Sequence, residues 1–315
     1  MNPEAPSAPC SRRARSATAG AQAPRVLKVG GEVLACPRQL RAVIGSVKRS
    51  HACMPLVVVH GGGVQVTRLA EALGMRPVFR EGLRVTDPQM VEVAEMVLSG
   101  AVNKALVSAL VREGVPALGL SGKDLGLVEA VPVPGLGRVG VAGRVKANRL
   151  RELLALGYTP VLASIAADRE GATLNVNADD LAAAVAGALG ARFLLLVSSG
   201  GGVRRDPHKQ RSGLVRTLST LELEARIALG ALTNGMIPKV RAARRALNHG
   251  VNRVGIVAPA SAVSLARALQ RGQGPGTWIV NASGRRPQPG PRGETAGPRG
   301  REPLSVRNRT FCTKE

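Results

Sequence analysis

The chain has 315 residues, 44% of them hydrophobic and 2% aromatic, and a formal net charge of +23. That length can bury a sizeable core as one large domain or two lobes, and the lack of an uncharged apolar run of about 18 residues or more argues against a membrane span. A basic field attracts phosphates of any kind, yet five unclustered aromatic residues make a poor stacking platform, so nucleic acid is the weaker reading.

In chain order, residues 1–23 read as a disordered basic arm. They lack the apolar stretch of a secretory signal, and Glu4 with the early prolines opposes a transit-peptide reading, so a cytoplasmic location is expected. "RVLKV" then predicts a short buried strand ending in Gly30-Gly31. A helix over about Pro37 to Lys48 leads to the strand "PLVVV" and Gly61-Gly62-Gly63. Val64 to Leu73 has helical spacing. A longer amphipathic region follows, with Asp87 as N-cap and Pro88 at the first helical position. "PALGLSG" and "TPVLASI" read as strands. A helix enters through Asn177 and stops near Gly190. "RFLLLVSSGGGV" is another apolar strand running into glycines, "PKVRAARRALNHG" a helix closed by Gly250, and "NRVGIVA" and "GTWIV" are late strands. Strands alternate with helices over residues 25–281, and their apolar runs are continuous. Both features predict a parallel-rich sheet covered on two faces. From 282 to 315 the chain is rich in Pro, Gly and Arg and reads as a disordered tail.

Residues 1–24 carry +2 and residues 282–315 carry +5, so +16 belongs to the middle. The four cysteines form no C-x-x-C pair and the four histidines are scattered, which leaves neither a zinc site nor a disulfide framework. What stands out is three strands that run into glycine. In open α/β sheets ligands bind at the carboxyl ends of strands, where glycine lets a phosphate approach backbone N–H groups. One such junction is more simply a tight turn; three favour an anionic ligand. "GLSGKD" is no P-loop, because Asp124 follows Lys123.

"KVGG" (28–31), "VVVHGGG" (57–63), "EGLRVTD" (81–87), "LSGKD" (120–124), "LNVNADD" (174–180) and "NGMIPK" (234–239) occur in this order. Together they resemble the acetylglutamate kinases of the amino acid kinase family, over about residues 25–281. The resemblance implies a three-layer α/β/α sandwich, with an acceptor lobe at about 24–170 and an ATP lobe at about 171–281. It implies transfer of the ATP γ-phosphoryl group to the side-chain carboxylate of N-acetyl-L-glutamate, with Mg²⁺ held mainly by the nucleotide phosphates. A carboxylate with a pKa of ~4.3 is already ionised at pH 7 and needs no general base. By motif, Lys28 and Lys239 would act on the transferring group and Asp179 would hold both. Arg84, Asn175, Gly62 and Gly63 would bind the acceptor; Gly30, Gly31, Ser199 and Gly202 would face the nucleotide.

Three positions depart from the family pattern. By the resemblance, Ser199, or Ser198 one position earlier, stands where most relatives carry Asp, Asn234 replaces a glycine, and Glu32 stands where a smaller or amide residue is usual. Two other readings stay open: a kinase of an aminoadipate derivative, and a non-catalytic basic regulatory or nucleic-acid-binding protein on the same scaffold. Arginine-inhibited members resemble one another in an N-terminal helix and in a Glu before a "G-x-G-T" run. Here the early residues are proline-rich and Ala268 takes the place of that Glu, so a homodimer insensitive to L-arginine is expected.

Overall fold

The computed structural model describes residues 22–282, apart from 81, 207–208, 210–211 and 233–234. The tail beyond residue 282, all but the last two residues of the predicted arm, and Asn234 therefore lie outside the described residues. The chain opens with β1 (Arg25–Val29), α1 (Gly31–Ala35), α2 (Pro37–His51), β2 (Leu56–His60) and α3 (Gly63–Ala72). A hairpin of β3 (Phe79–Arg80) and β4 (Leu83–Arg84) precedes α4 (Pro88–Glu95), a π-helical segment (Met96–Val102) and α5 (Asn103–Arg112). Next come β5 (Ala117–Ser121), β6 (Val128–Pro132), β7 (Val139–Val145), α6 (Ala147–Ala155), β8 (Thr159–Ala163), β9 (Ile165–Ala167) and β10 (Thr173–Val176). The remainder is α7 (Ala178–Leu189), β11 (Phe193–Val197), β12 (Thr217–Ser219), α8 (Thr220–Ala228), α9 (Ile237–Asn248), β13 (Arg253–Val257), α10 (Ala262–Arg271) and β14 (Thr277–Val280).

Eight strands form the central sheet in the order β12-β14-β13-β11-β1-β2-β8-β5. Every neighbouring pair is parallel except β13 with β14. The continuous apolar strands have the physical cause expected of them, since both faces are buried. Val26, Val57, Val59, Leu194 and Leu196 pack on one side with Leu181 and Val185 of α7 and Val240 of α9. Leu27, Val29, Val58, Leu195 and Val197 pack on the other with Val43 and Val47 of α2, Leu110 of α5 and Leu265 of α10. The result is the three-layer sandwich. The period of two also decides where Lys28 points: it shares its face with Val26, toward α7.

The helix caps are where the sequence placed them. The Asp87 side chain accepts from Met90 N at 2.7 Å with Pro88 in the first turn, and α7 runs from the Asn177 cap to Gly190 in the left-handed region. From Pro88 to Arg112 the helix is continuous over 25 residues, long and apolar enough to cross a bilayer by length and composition alone. It carries Glu92, Glu95, Lys104 and Arg112, and it buries Met90, Val93, Leu98, Leu106 and Leu110 in the core. Ser99 and Gly100, weak helix formers, lie inside its π-helical turn.

One unit was not legible. β10, β7, β6 and β9 close on one another as four short strands beside the main sheet. Their members are as short as three residues, and β7 contains Gly140 and Gly143. Their pairing is set by non-local contacts more than by local pattern. This unit delivers Asn175 to the site.

Candidate active site

The three glycine junctions leave one end of three adjacent strands, because β11, β1 and β2 are neighbours in register. Two of the loops touch. A Cβ on Gly31 would stand 3.0 Å from Gly63 N and 3.1 Å from Gly62 Cα, and one on Gly62 would stand 2.7 Å from Leu98 Cδ2. Glycine is needed here so that backbone can lie on backbone. Gln65 Nε2, on the first turn of α3, donates to Gly31 O at 3.2 Å and ties the loops together.

At the base of these loops three charges meet. Lys28 Nζ lies 2.7 Å from Asp179 Oδ1, and Lys239 Nζ lies 3.3 Å from Asp179 Oδ2. Lys28 comes from β1, Asp179 from the first turn of α7 and Lys239 from the first turn of α9. The Asn177 side chain accepts from the N–H groups of Asp179 and Asp180, which fixes the start of α7. The positive end of that helix also favours the Asp179 carboxylate. Burial works to raise the Asp179 pKa, but the two ammonium groups outweigh it and hold the carboxyl below its ordinary value. Burial also draws the Lys28 ammonium down, with Asp179 opposing. Two positive charges on one negative charge leave a net positive charge where a transferring anion could sit.

Two cavities meet at this cluster. The smaller, about 200 Å³, is lined by Lys28, Gly62, Gly63, Arg84, Asn175 and Asp179, among others. Arg84 is buried beneath the Phe79 ring, 4.7 Å from its centroid. Its Nη2 donates to Gly63 O at 2.9 Å and to Thr67 Oγ1 at 2.7 Å, while Nη1 is buried with no partner among the described residues. An orphaned guanidinium N–H beside a polar cavity is a donor waiting for an anion. Asn175 Nδ2 donates to Thr86 Oγ1 at 3.2 Å, and Thr86 Oγ1 donates to Arg84 O at 2.8 Å, so both side chains are held by one short chain of hydrogen bonds.

The larger cavity, about 890 Å³, is an open cleft that shares Lys28, Gly31, Gly63, Arg84 and Asp179 with the smaller one. It adds Gly30, Glu32, Ser198, Ser199, Gly200 and Lys239. Gly202 does not join them. It is buried at φ +150°, where a Cβ would lie 2.7 Å from Thr277 Oγ1 and 3.0 Å from Thr277 N. Its glycine is required by packing under β14 rather than by an approach to ligand.

Sequence reasoning passed over Gln65, Thr67 and Phe79, and it passed over His60. The His60 ring is fully buried at the end of β2, directly before Gly61. Asn103 Nδ2 lies 3.0 Å from its Nε2 and donates to Val161 O at 2.9 Å. The amide nitrogen therefore faces His60, whose Nε2 accepts and whose Nδ1–H donates to Gly61 O at 3.0 Å. The only signal in the sequence was a polar residue closing a run of valines.

The family model described as the amino acid kinase family matches residues 24–258. The chain is 42% identical over 237 residues to an acetylglutamate kinase of Chloroflexus aggregans, covering 74% of this chain and 91% of that one. It is 45% identical over 228 residues to an acetylglutamate kinase of Rubrobacter xylanophilus, covering 72% and 85%. A chloroplastic acetylglutamate kinase of Arabidopsis thaliana is 39% identical over 263 residues, covering 81% and 74%. Among solved structures, N-acetylglutamate synthase from Neisseria gonorrhoeae, complexed with coenzyme A and N-acetyl-glutamate, superposes with a TM-score of 0.71 at 27% identity. The match covers 83% of this chain and 60% of that chain. Carbamate kinase from Giardia lamblia bound to AMP-PNP superposes with a TM-score of 0.62 at 15% identity, covering 82% and 98%, which shows the fold alone.

Burial pushes the His60 pKa down from 6.5 to about 4. The unfolded chain then binds the extra proton between those values, so stability should be complete above pH 6.5 and fall as pH drops toward 4. This one group is worth on the order of 3 kcal/mol across the window. Urea unfolding at stepped pH should show the slope, and His60→Gln should flatten it; an unchanged slope in that variant would place the titration elsewhere.

Proposed function

The chain belongs to the amino acid kinase family, with the acetylglutamate kinases as its relatives, and from that premise we propose that it phosphorylates the side-chain carboxylate of N-acetyl-L-glutamate at the expense of ATP. The product is the acyl phosphate, N-acetyl-L-glutamyl 5-phosphate, an intermediate of arginine biosynthesis. The observation that carries this reading is the meeting of a small cavity and a large cleft at Lys28, Asp179 and Lys239.

In this reading the acceptor occupies the small cavity. Arg84 Nη1 takes its α-carboxylate, Asn175 hydrogen-bonds the same end, and the N–H groups of Gly62 and Gly63 approach the reacting carboxylate. The nucleotide lies in the cleft with its phosphates over Gly30 and Gly31 and beside Ser199. Lys28 and Lys239 then face the phosphoryl group from the two sides, and Asp179 keeps their mutual repulsion from parting them. Such transfer depends on alignment and charge neutralisation rather than proton removal. His60 fits that scheme: it is neutral and turned into the core, so it orients the Gly61 carbonyl and takes no proton.

Among the described residues no cluster of three or more His, Cys, Asp or Glu could hold a metal by itself. Asp179 is engaged by two lysines. The oxygen donors Glu32 and Ser199 on the cleft rim suit magnesium that arrives on the nucleotide phosphates. When bound, that ion neutralises part of the phosphate charge. The lobe boundary near residue 170, the homodimer and the cytoplasmic location complete the proposal.

An ATP-dependent hydroxamate assay tests the reading. N-acetyl-L-glutamate should support turnover, and an N-acetylated aminoadipate should do so far less well; the reverse order would reassign the enzyme. Millimolar L-arginine should leave the rate unchanged. In line with this, Ala268 is buried in the core beside α10's other apolar residues.

Lys28→Ala and Lys239→Ala should each lower kcat by roughly 10²–10³, the range for one preorganised donor, with smaller changes in KM. Lys28 is 6% exposed at its side chain and Lys239 18%, so Lys28→Ala should also lose more thermal stability. Steady-state kinetics beside thermal melts would check both, and a variant that keeps near-full kcat has no part in transfer.

A further inference from the structure

The nucleotide-side cleft holds a contact that the transfer chemistry leaves unused. Ser199 Oγ donates to Glu32 Oε2 at 2.5 Å. The two residues are far apart in sequence, but β1 and β11 pair with Val29 opposite Val197, so the loops that follow lie side by side. Glu32 sits in the first turn of α1 and Ser199 two residues past β11, and both line the cleft. The hydrogen bond holds an exposed carboxylate over the cleft rather than leaving it to turn into bulk water. That carboxylate is close enough to act on the Lys28 ammonium.

The charge of the lining gives this contact its meaning. Among the described residues, four cationic side chains (Lys28, Arg68, Arg84 and Lys239) and three acidic ones (Glu32, Glu71 and Asp179) line the cleft. The described walls are nearly neutral in a chain of +23. A free triphosphate is a polyanion and would meet too little positive charge there, and it would meet Glu32 directly. The same triphosphate carrying a divalent cation brings its own counter-charge, and a single carboxylate with a hydroxyl beside it is the kind of oxygen set such an ion accepts alongside phosphate. We propose that Glu32, held in place by Ser199, makes the cleft select the divalent-metal complex of the nucleotide over the free polyanion. The inference rests on the cleft's being the ATP site, as proposed above.

Two effects of opposite sign follow from one carboxylate. With metal present it attracts; without metal it repels. Titration calorimetry of the full chain with the non-hydrolysable analogue AMP-PNP, in excess magnesium chloride and separately in EDTA, separates them. In Glu32→Gln the affinity with magnesium should fall roughly fivefold and the affinity in EDTA should rise by a similar factor, the worth of one water-screened unit charge at contact distance. Ser199→Ala should shift both the same way by less, and both shifts should shrink as salt is raised. Glu32 and Ser199 are exposed, so melting temperatures should stay with the unsubstituted chain. Affinities that move together, or do not move, in Glu32→Gln would overturn the selection role while leaving the nucleotide site intact. Failure of the unsubstituted chain to bind the analogue under either condition would instead remove the ATP reading, and this inference with it.

Discussion

Asp179 is the constraint on which the rest of the site depends. It is 3% exposed and carries two ammonium groups that would repel each other in its absence. A buried charge of this kind survives only with partners, because removing one side of a buried pair costs about 3–5 kcal/mol. Three separate elements are thereby fixed relative to one another. β1 supplies Lys28 through its twofold alternation, α7 supplies Asp179 through the Asn177 cap, and α9 supplies Lys239 from its first turn. The same packing that buries α7 and α9 on one sheet face builds the electrostatic centre.

Around that centre the glycine loops solve a problem of distance. An N–H group can approach an anion only where no side chain intervenes, and two such loops can adjoin only if each is bare toward the other. Gly31 against Gly62 and Gly63 meets that demand, and Arg84, bonded to Gly63 O, links the loop to the hairpin that closes the small cavity. On the proposed reading, these donors would be oriented by folding rather than at the moment of reaction.

Much of this was legible from sequence because its causes are local or periodic. Asp87, Asn177 and Gly190 mark helix ends by their own chemistry, and the continuous valine and leucine runs announce strands buried on both faces. Lys28, Asp179 and Lys239 came from motif order, and the coordinates bring all three within ion-pair reach. What escaped depends on long-range packing. Gly202 sits in a glycine run identical in appearance to the others, but Thr277, distant in sequence, decides its use. Of the four small strands, β9 and β10 have only three and four residues, and two glycines interrupt the longest, β7. The Ser219–Glu222 capping box that opens α8 is, by contrast, a local signal of the same kind as the Asp87 and Asn177 caps.

The π-helical turn between α4 and α5 acts as a phase corrector. Upstream, Met90, Val93 and Ala94 pack toward α3; downstream, Asn103, Leu106 and Leu110 are buried toward the sheet. The wide turn absorbs one extra residue; wound as a regular α-helix at about 100° per residue, the same sequence would carry its downstream stripe round by roughly that angle relative to the upstream one. Asn103 would swing away from His60, and Leu98 and Val102 would leave the surface of Gly62 that they now cover. Loss of the π turn at constant length, far from any charged group, would thus detune the glycine loop. In evolutionary terms, a one-residue deletion that restores regular α winding here would keep both stripes in phase and should be tolerated better than a one-residue insertion.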